Sequence, residues 1–228
     1  MRQSIIILLL SISNIASAQN TVKVNSWIIK ANATSLIDEL SFPTVQLSAE
    51  KKLNEDFSLS LETGYQFYST IHPDTVFLNP KGFKINMEFR FYLSKYFRHR
   101  MAHCMRGFYI GIQPFYRQNL FTSSMAYYTK NDTLNSIVDY FAVKNFSYGI
   151  NCMLGFQRSV SKKITMELYL GLGYINRKVQ NTELEYNEDA GDYYRGHHLV
   201  PLLYHLSLSK SSGPAANMSF GFRIGYKF

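Results

Sequence analysis

The most regular feature of the chain is an alternation of apolar and polar residues with a period of two, repeated from residue 43 onward. The clearest segment runs from 83 to 93, where apolar residues occupy the odd positions and polar residues or tyrosine occupy the even ones. A period of two is typical of β-strands with two different faces, because successive side chains point to opposite sides. The sequence therefore predicts a protein built from strands.

Several other segments show the same alternation, some of them less cleanly. The full set is 22–33, 45–53, 57–68, 83–93, 108–117, 146–157, 164–174 and the C-terminal ANMSFGFRIGYKF. Each has about ten residues, the length that a tilted strand needs to cross a bilayer. We predict an all-β, antiparallel up-and-down transmembrane β-barrel of eight strands. Ten strands is the alternative, because the segment 179–215 has room for another pair in its stretch HHLVPLLYHLSLS.

Two features indicate that the polar face points into the barrel. Glycine is frequent on that face, where small residues would leave room for Tyr109, Phe115 and Tyr169 inside a narrow barrel. The connections also alternate between tight turns, at 53–56 and 161–163, and longer segments, as they do at the two surfaces of a membrane barrel. The longer connections are predicted at 34–43, 69–81, 119–144 and 179–215, with an intermediate one at 94–106.

The N-terminus has the features of an export signal. Arg2 precedes an apolar stretch over 5–12 that is too short to span a bilayer as a helix, and Ala16-Ser17-Ala18 fits signal peptidase. We predict a signal peptide over 1–18 and a barrel domain over 19–228. Export argues against nucleic acid as a partner.

Composition adds a charge argument to this picture. Charged residues make up 18% of the chain, below the level of about 25% usual in soluble domains, and the formal net charge is +8. Removing the predicted signal peptide takes away Arg2 and leaves +7. A positive surface suits anionic headgroups and lipopolysaccharide phosphates.

Several segments resemble known barrels. VKVNSWII, the LSAEKKLNEDFSLSLETGYQFY hairpin, GFKINMEFRFYL, RGFYIGIQPFY and GFRIGYKF resemble the small outer-membrane β-barrels common in Bacteroidetes, including a family of unassigned function. More broadly the chain resembles barrels of the OmpA and OmpX type. The resemblance implies a location in the cell outer membrane, contacts with its lipid and lipopolysaccharide, and insertion by the barrel-assembly machinery. Tyr226 and Phe228 resemble the aromatic residues of a C-terminal insertion signal.

The predicted interior contains charges that need partners. Eight strands enclose a space filled by side chains, and an unpaired charge there would cost several kcal/mol. The inward charges are Glu50, Glu62, Glu88, Glu167, Lys84, Arg90, Arg117 and Arg223. We predict a central ionic network in which Arg90 and Arg223 contact Glu62, Glu88 and Glu167. We interpret it as a polar core, with a gate or proton path as the alternative.

Aromatic residues near the strand ends suit the girdles that mark the two membrane interfaces. They are Tyr65, Phe67, Tyr92, Tyr174 and Tyr226.

The sequence contains no recognisable catalytic, cofactor or metal motif. Six histidines, His72, His99, His103, His197, His198 and His205, fall in predicted connections. A metal site formed by His99 and His103 beside Cys104 is the alternative, but we interpret all six histidines as solvated loop residues. Cys104 is predicted in a turn and Cys152 on the outward face, so we favour two separate thiols over a disulfide.

We therefore expect no cofactor, no metal and a non-enzymatic structural or surface-interaction role. A lipid A-modifying enzyme is the first alternative and a narrow pore is the second. The pattern does not predict an oligomeric state.

Overall fold

The computed structural model describes residues 27–38, 41–68, 78–93, 105–130, 132–192 and 212–228. Eight strands account for most of them: β1 (Trp27–Asn32), β2 (Val45–Lys52), β3 (Phe57–Gln66), β4 (Leu78–Tyr92), β5 (Gly107–Thr129), β6 (Asp132–Ser159), β7 (Ile164–Thr182) and β8 (Gly213–Lys227). Two short 3-10 segments are present at Thr34–Ile37 and Glu188–Ala190. Within these ranges, no helix is long and apolar enough to cross a membrane.

The strands close into a barrel of the predicted up-and-down type. Each strand pairs antiparallel with its neighbour in sequence, and β8 pairs with β1. Lys30, for example, lies opposite Ser48 on β2 and Gly225 on β8. Because β8 pairs directly with both β7 and β1, the described strands complete the ring as eight rather than ten.

Both chain ends of the barrel lie at the same end as its short turns. The backbone nitrogen of Phe228 donates to the Trp27 carbonyl oxygen at 3.1 Å. The turns after β2 and β6 are closed by hydrogen bonds from Leu53 to Phe57, at 3.0 Å, and from Val160 to Ile164, at 2.9 Å. We call this the turn end and the opposite end the loop end. The predicted tight turns at 53–56 and 161–163 are confirmed.

The prediction of a long connection over 119–144 is wrong. β5 and β6 continue through this segment as a paired hairpin until Thr129 lies opposite Asp132. The two strands are 23 and 28 residues long, far more than the roughly ten residues needed to cross a bilayer. We call residues 120–143 the β5–β6 extension, and it stands beyond the loop end of the barrel.

The β5–β6 extension has its own small apolar core. Phe121, Phe141 and Val143 are buried on its inner face together with Val179 of β7. The segment after β7 packs against these four side chains. The Asp139 carboxylate holds that segment in place by accepting a hydrogen bond from one of its backbone nitrogens at 2.8 Å. This packing holds the extension as a defined wall.

The barrel has apolar residues outside and polar residues inside. Leu61, Ile112 and Leu154 are at least half exposed on the outer surface, at 50%, 53% and 59%. Arg90 and Arg223, in contrast, are at most 1% exposed on the inner face. This is the reverse of a soluble protein and typical of a transmembrane barrel. The predicted orientation of the two faces is confirmed.

Large aromatic residues on the inner face lie opposite glycines on the next strand, as predicted. The directly opposed pairs are Tyr109 with Gly155, Phe115 with Gly149, and Tyr169 with Gly221. A Cβ atom added to Gly149 would approach the Phe115 ring to 2.7 Å, and the other two would overlap their tyrosine rings. The interior is therefore filled by interlocking large and small residues.

One of the aromatic residues predicted for the interfacial girdles needs correction. Tyr92 does not belong to an outer girdle, because it is fully buried inside the barrel with Ile28, Met105 and Tyr109. The remaining girdle candidates, Tyr65, Phe67, Tyr174 and Tyr226, are exposed on the outer face. Cys152 is exposed on the outer face as a free thiol.

Some predicted features lie outside the described residues. These are the signal peptide over 1–18, the stretch 197–209, Cys104, and the histidines His72, His99, His103, His197, His198 and His205.

Candidate functional site

The most distinctive chemical feature is a cluster of charges in the turn-end half of the barrel interior. It contains the five predicted residues and two more, each contributed by an inward position of a strand. We define the central ionic network as Lys30, Glu50, Glu62, Glu88, Arg90, Glu167 and Arg223. All seven side chains are almost completely buried.

Arg90 is one hub of the network. Its Nη2 atom lies 2.7 Å from Glu88 Oε2 and 3.0 Å from Glu167 Oε1. Its Nη1 atom lies 3.2 Å from Glu50 Oε2. The guanidinium plane has several donors in a fixed arrangement, so one arginine can serve three carboxylates on different strands.

Arg223 is the second hub. Its Nε atom donates to Glu62 Oε2 at 2.7 Å, and its Nη1 atom donates to Glu167 Oε1 at 2.5 Å. Glu167 and Arg223 lie directly opposite each other on β7 and β8, which explains the close contact. Glu88 Oε2 lies 3.6 Å from the Nη1 atom of Arg223. The structure thus brings Glu62, Glu88, Arg90, Glu167 and Arg223 together in one cluster.

Sequence reasoning missed Lys30 as a member of this cluster. Its Nζ atom lies 2.5 Å from Glu50 Oε2 and also contacts Glu167. Lys30 was missed because β1 also places the apolar Ile28 on the inner face, which hides the alternation. The useful signal would have been the register of β1 against the polar row of β2, which the sequence alone does not fix.

Two buried tyrosines add hydrogen bonds to the network. The Tyr92 hydroxyl donates to Glu50 Oε1 at 2.7 Å, and the Tyr109 hydroxyl donates to Glu167 Oε1 at 2.8 Å. Charge-assisted hydrogen bonds of this kind are about twice as strong as neutral ones. The ion pairs and these hydroxyls therefore form a densely hydrogen-bonded polar core, in which Glu88 Oε1 and Arg90 Nε have no partner among the described residues.

Nothing in the described part of the chain builds a metal site. No group of three or more His, Cys, Asp or Glu side chains there has the arrangement to hold a metal ion.

At the loop end, the connection after β1 folds back into the barrel mouth. Its Ser35 hydroxyl donates to the Asn32 and Thr44 carbonyl oxygens, at 2.8 and 2.9 Å. The Asp38 carboxylate in this connection accepts a hydrogen bond from Lys84 Nζ at 2.8 Å. Burial alone would raise the pKa of Asp38, but the Lys84 ammonium, helped by the Ser41 hydroxyl and the Arg117 charge, holds that pKa below its ordinary value.

Three exposed lysines lie on the outer face near the loop end of the barrel. Lys81 and Lys144 each lie two residues beyond an outward aromatic residue, Phe83 on β4 and Phe146 on β6. Lys178 on β7 lies directly opposite Phe146. We call Lys81, Lys144 and Lys178 the lysine rim. Its position near the loop end suits contact with anionic groups.

The predicted insertion-signal residues lie on the outer face at the turn end. Tyr226 and Phe228 are both exposed, and their ring centroids are 5.1 Å apart. The structure places them at the closure of β8 against β1, and their role in insertion stays a prediction.

Comparisons with known proteins give one family match. Residues 4–209 match the model of a family described as protein of unknown function (DUF3575). No curated protein shows significant similarity to the chain. Among solved structures, Acinetobacter baumannii CarO is similar at 10% sequence identity with a TM-score of 0.43, covering 92% of this chain and 100% of that chain. A similarity at this level has no bearing on activity.

Proposed function

The chain belongs to the DUF3575 family of proteins of unknown function, and since that membership assigns no activity, we propose a function from the barrel itself. The protein is an integral barrel of the bacterial outer membrane that does not catalyse a reaction and presents a lipopolysaccharide-binding surface at its loop end. The observation that carries the proposal is the combination of an exposed apolar exterior with a charged, buried interior.

A membrane location follows from the exterior. A soluble protein rarely exposes so large a continuous apolar surface, whereas hydrocarbon is its natural surrounding in a transmembrane barrel. Each strand is also hydrogen-bonded to a neighbour on both sides within the closed ring, as a lipid environment requires. Fractionation of cells should place the protein with outer-membrane markers, and recovery in the soluble periplasmic fraction would contradict the proposal.

The interior argues against a pore. The central ionic network fills the turn-end half of the interior and interlocked aromatic residues narrow the rest, and an eight-stranded barrel has little room for a channel. Purified protein in planar lipid bilayers should therefore give no stepwise conductance. Reproducible single-channel steps would show that the interior opens and would favour the narrow-pore alternative.

Lipopolysaccharide is the proposed partner because of the lysine rim. Its lysines lie on the outer face beside Phe83 and Phe146 near the loop end, and Lys144 Nζ lies 4.9 Å from the centroid of the Phe146 ring, a position that suits anionic headgroup phosphates. Each lysine near such a surface contributes about 1 kcal/mol to the attraction. The β5–β6 extension rises above this rim and offers additional surface for sugars or partner proteins.

The test compares two double variants that remove the same charge at opposite ends of the barrel. Lys144→Gln with Lys178→Gln should weaken binding of fluorescent lipopolysaccharide to the detergent-solubilised barrel by about 2 kcal/mol, or roughly thirtyfold. Lys162→Gln with Lys163→Gln, in the turn after β6, serves as the control and should leave binding nearly unchanged. Equal losses in both variants would contradict a specific site at the rim.

Insertion through the barrel-assembly machinery is part of the same proposal. Tyr226 and Phe228 present adjacent aromatic rings on the outer face of the last strand, which supports their reading as an insertion signal.

A further inference from the structure

A cavity of about 280 Å³ lies at the loop-end mouth of the barrel, beside the end of β1 and separate from the central ionic network. Its wall includes Thr34 and Asp38 of the folded-back connection, Arg117 of β5 and Ser219 of β8. Pockets for drug-sized molecules occupy about 300 to 1,000 Å³, so this cavity has room for a smaller chemical group.

Arg117 in the cavity wall has unusually few partners for a buried arginine. It is 8% exposed, and its side chain makes one hydrogen bond within the described ranges, from Nη1 to Asn217 Oδ1 at 3.5 Å. Its Nε atom has no hydrogen-bond partner, and Arg117 makes no ion pair, among the residues that the structure describes. The guanidinium rests 4.4 Å from the centroid of the Phe115 ring. A buried cation normally has a closely paired anion.

The strand register adds further positive charge beside Arg117. Lys84 lies directly opposite it on β4, and Ser147 lies opposite it on β6. Ser147 in turn lies opposite Arg177 on β7, so three cations share four consecutive positions around the inner wall. The Asp38 carboxylate pairs with Lys84 at 2.8 Å and attracts the Arg117 charge from beyond ion-pair distance. Like charges at directly opposed positions are destabilising, and a bound anion would relieve their repulsion.

Ser219 of β8 also belongs to the wall of this cavity. Its buried hydroxyl has no hydrogen-bond partner within the described ranges. Ser48 and Thr165 also have unpartnered hydroxyls, but neither lines this cavity. We propose that the cavity binds a small oxyanion, a carboxylate or a phosphate group, held by the Arg117 guanidinium and the Ser219 hydroxyl. This site is independent of the lysine rim on the outer surface.

Isothermal titration calorimetry of the folded barrel in a non-ionic detergent tests the proposal, with inorganic phosphate in one titration and acetate in another. Saturable binding of at least one of the two is expected, and which one binds distinguishes phosphate from carboxylate recognition. Arg117→Gln should weaken that binding at least tenfold, because it removes a charge-assisted hydrogen bond. Ser219→Ala should weaken it a few-fold, and Lys162→Gln, an exposed cation at the turn end, should leave it unchanged.

Absence of saturable heat from both anions at concentrations on the order of 10 mM would overturn the proposal. Unchanged affinity in Arg117→Gln, or an equal loss in Lys162→Gln, would do the same. The folded state of each variant is checked by its heat-shifted band in gel electrophoresis. If Arg117→Gln does not fold, Ser219→Ala decides the matter, since affinity equal to that of the parent protein would refute the site.

Discussion

Removing the Arg90 guanidinium is predicted to destabilise the barrel more than removing the Glu167 carboxylate, although both are hubs of the same network. The reason is the balance of charge: the network contains four carboxylates and three cations. Arg90→Met leaves four buried carboxylates facing Lys30 and Arg223. Glu88 then retains only the contact with Arg223 at 3.6 Å.

Glu167→Gln, in contrast, leaves three carboxylates facing three cations, and each cation keeps a close partner. Lys30 remains 2.5 Å from Glu50, Arg90 remains 2.7 Å from Glu88, and Arg223 remains 2.7 Å from Glu62. Breaking a buried pair and leaving a charge uncompensated costs about 3 to 5 kcal/mol, which we expect for Arg90→Met. Losing hydrogen bonds to charged groups while others remain costs about 1 to 3 kcal/mol, which we expect for Glu167→Gln.

The assay is equilibrium unfolding in guanidinium chloride of the barrel folded into lipid vesicles. Trp27, the one tryptophan of the chain, lies on the outer surface and reports loss of the lipid surroundings through its emission. Glu55→Gln, in the exposed turn after β2, is the control and should change the free energy of unfolding by less than about 0.5 kcal/mol. A smaller loss for Arg90→Met than for Glu167→Gln would refute the charge-balance reasoning.

Three further predictions follow from the same structure. Gly155→Val should prevent efficient refolding, because its side chain would overlap the Tyr109 ring; the heat-shifted gel band should be lost, while Leu154→Val on the outer face keeps it. The lowered pKa of Asp38 means that its pair with Lys84 stabilises the protein above the unfolded carboxyl value of about 4 and is lost as pH falls through the folded value. Asp38→Asn should therefore reduce the loss of unfolding free energy measured between pH about 6 and about 3, and an unaltered pH profile would contradict this. Phe228→Ala should lower the amount of barrel in the outer membrane of cells several-fold without changing refolding into detergent, whereas equal membrane levels would argue against an insertion signal.

The alternation of residues predicted the closed barrel because most strands have faces of opposite character. On β4, for example, Phe83 to Leu93 place apolar and polar positions in strict order, and the inner charges Glu88 and Arg90 follow from that order alone. Pairing across the barrel then follows from the cost of burying charges, which is how the contact of Arg90 with Glu167 could be anticipated before the register was known.

The pattern failed where both faces of a strand carry apolar residues. In the β5–β6 extension, Phe121 and Phe141 are buried on the inner face while Leu120 and Tyr140 are exposed on the outer face, so no period of two remains. On β1, Ile28 inside and Trp27 outside hide the same period. The inner-face apolar residues of β1 and of the extension pack against other strands, and a pattern along one strand contains no information about that packing.

The contacts of the barrel mouth also could not be predicted. The alternation predicts both Lys84 and Arg117 as inward charges. Which of the two finds an ion-pair partner depends on the residues that the connection after β1 brings back into the barrel. Asp38 reaches Lys84 and leaves Arg117 without an ion-pair partner in the described part of the chain.

The central claim is that the apolar exterior faces hydrocarbon, and moving the one tryptophan to the middle of that surface tests it most directly. Leu154→Trp in a Trp27→Phe background places the indole at an outward position that is 59% exposed. In vesicles whose acyl chains carry bromine near the bilayer centre, the account predicts strong quenching of its emission and little quenching by aqueous iodide. Emission quenched by iodide and indifferent to the brominated lipid would contradict it.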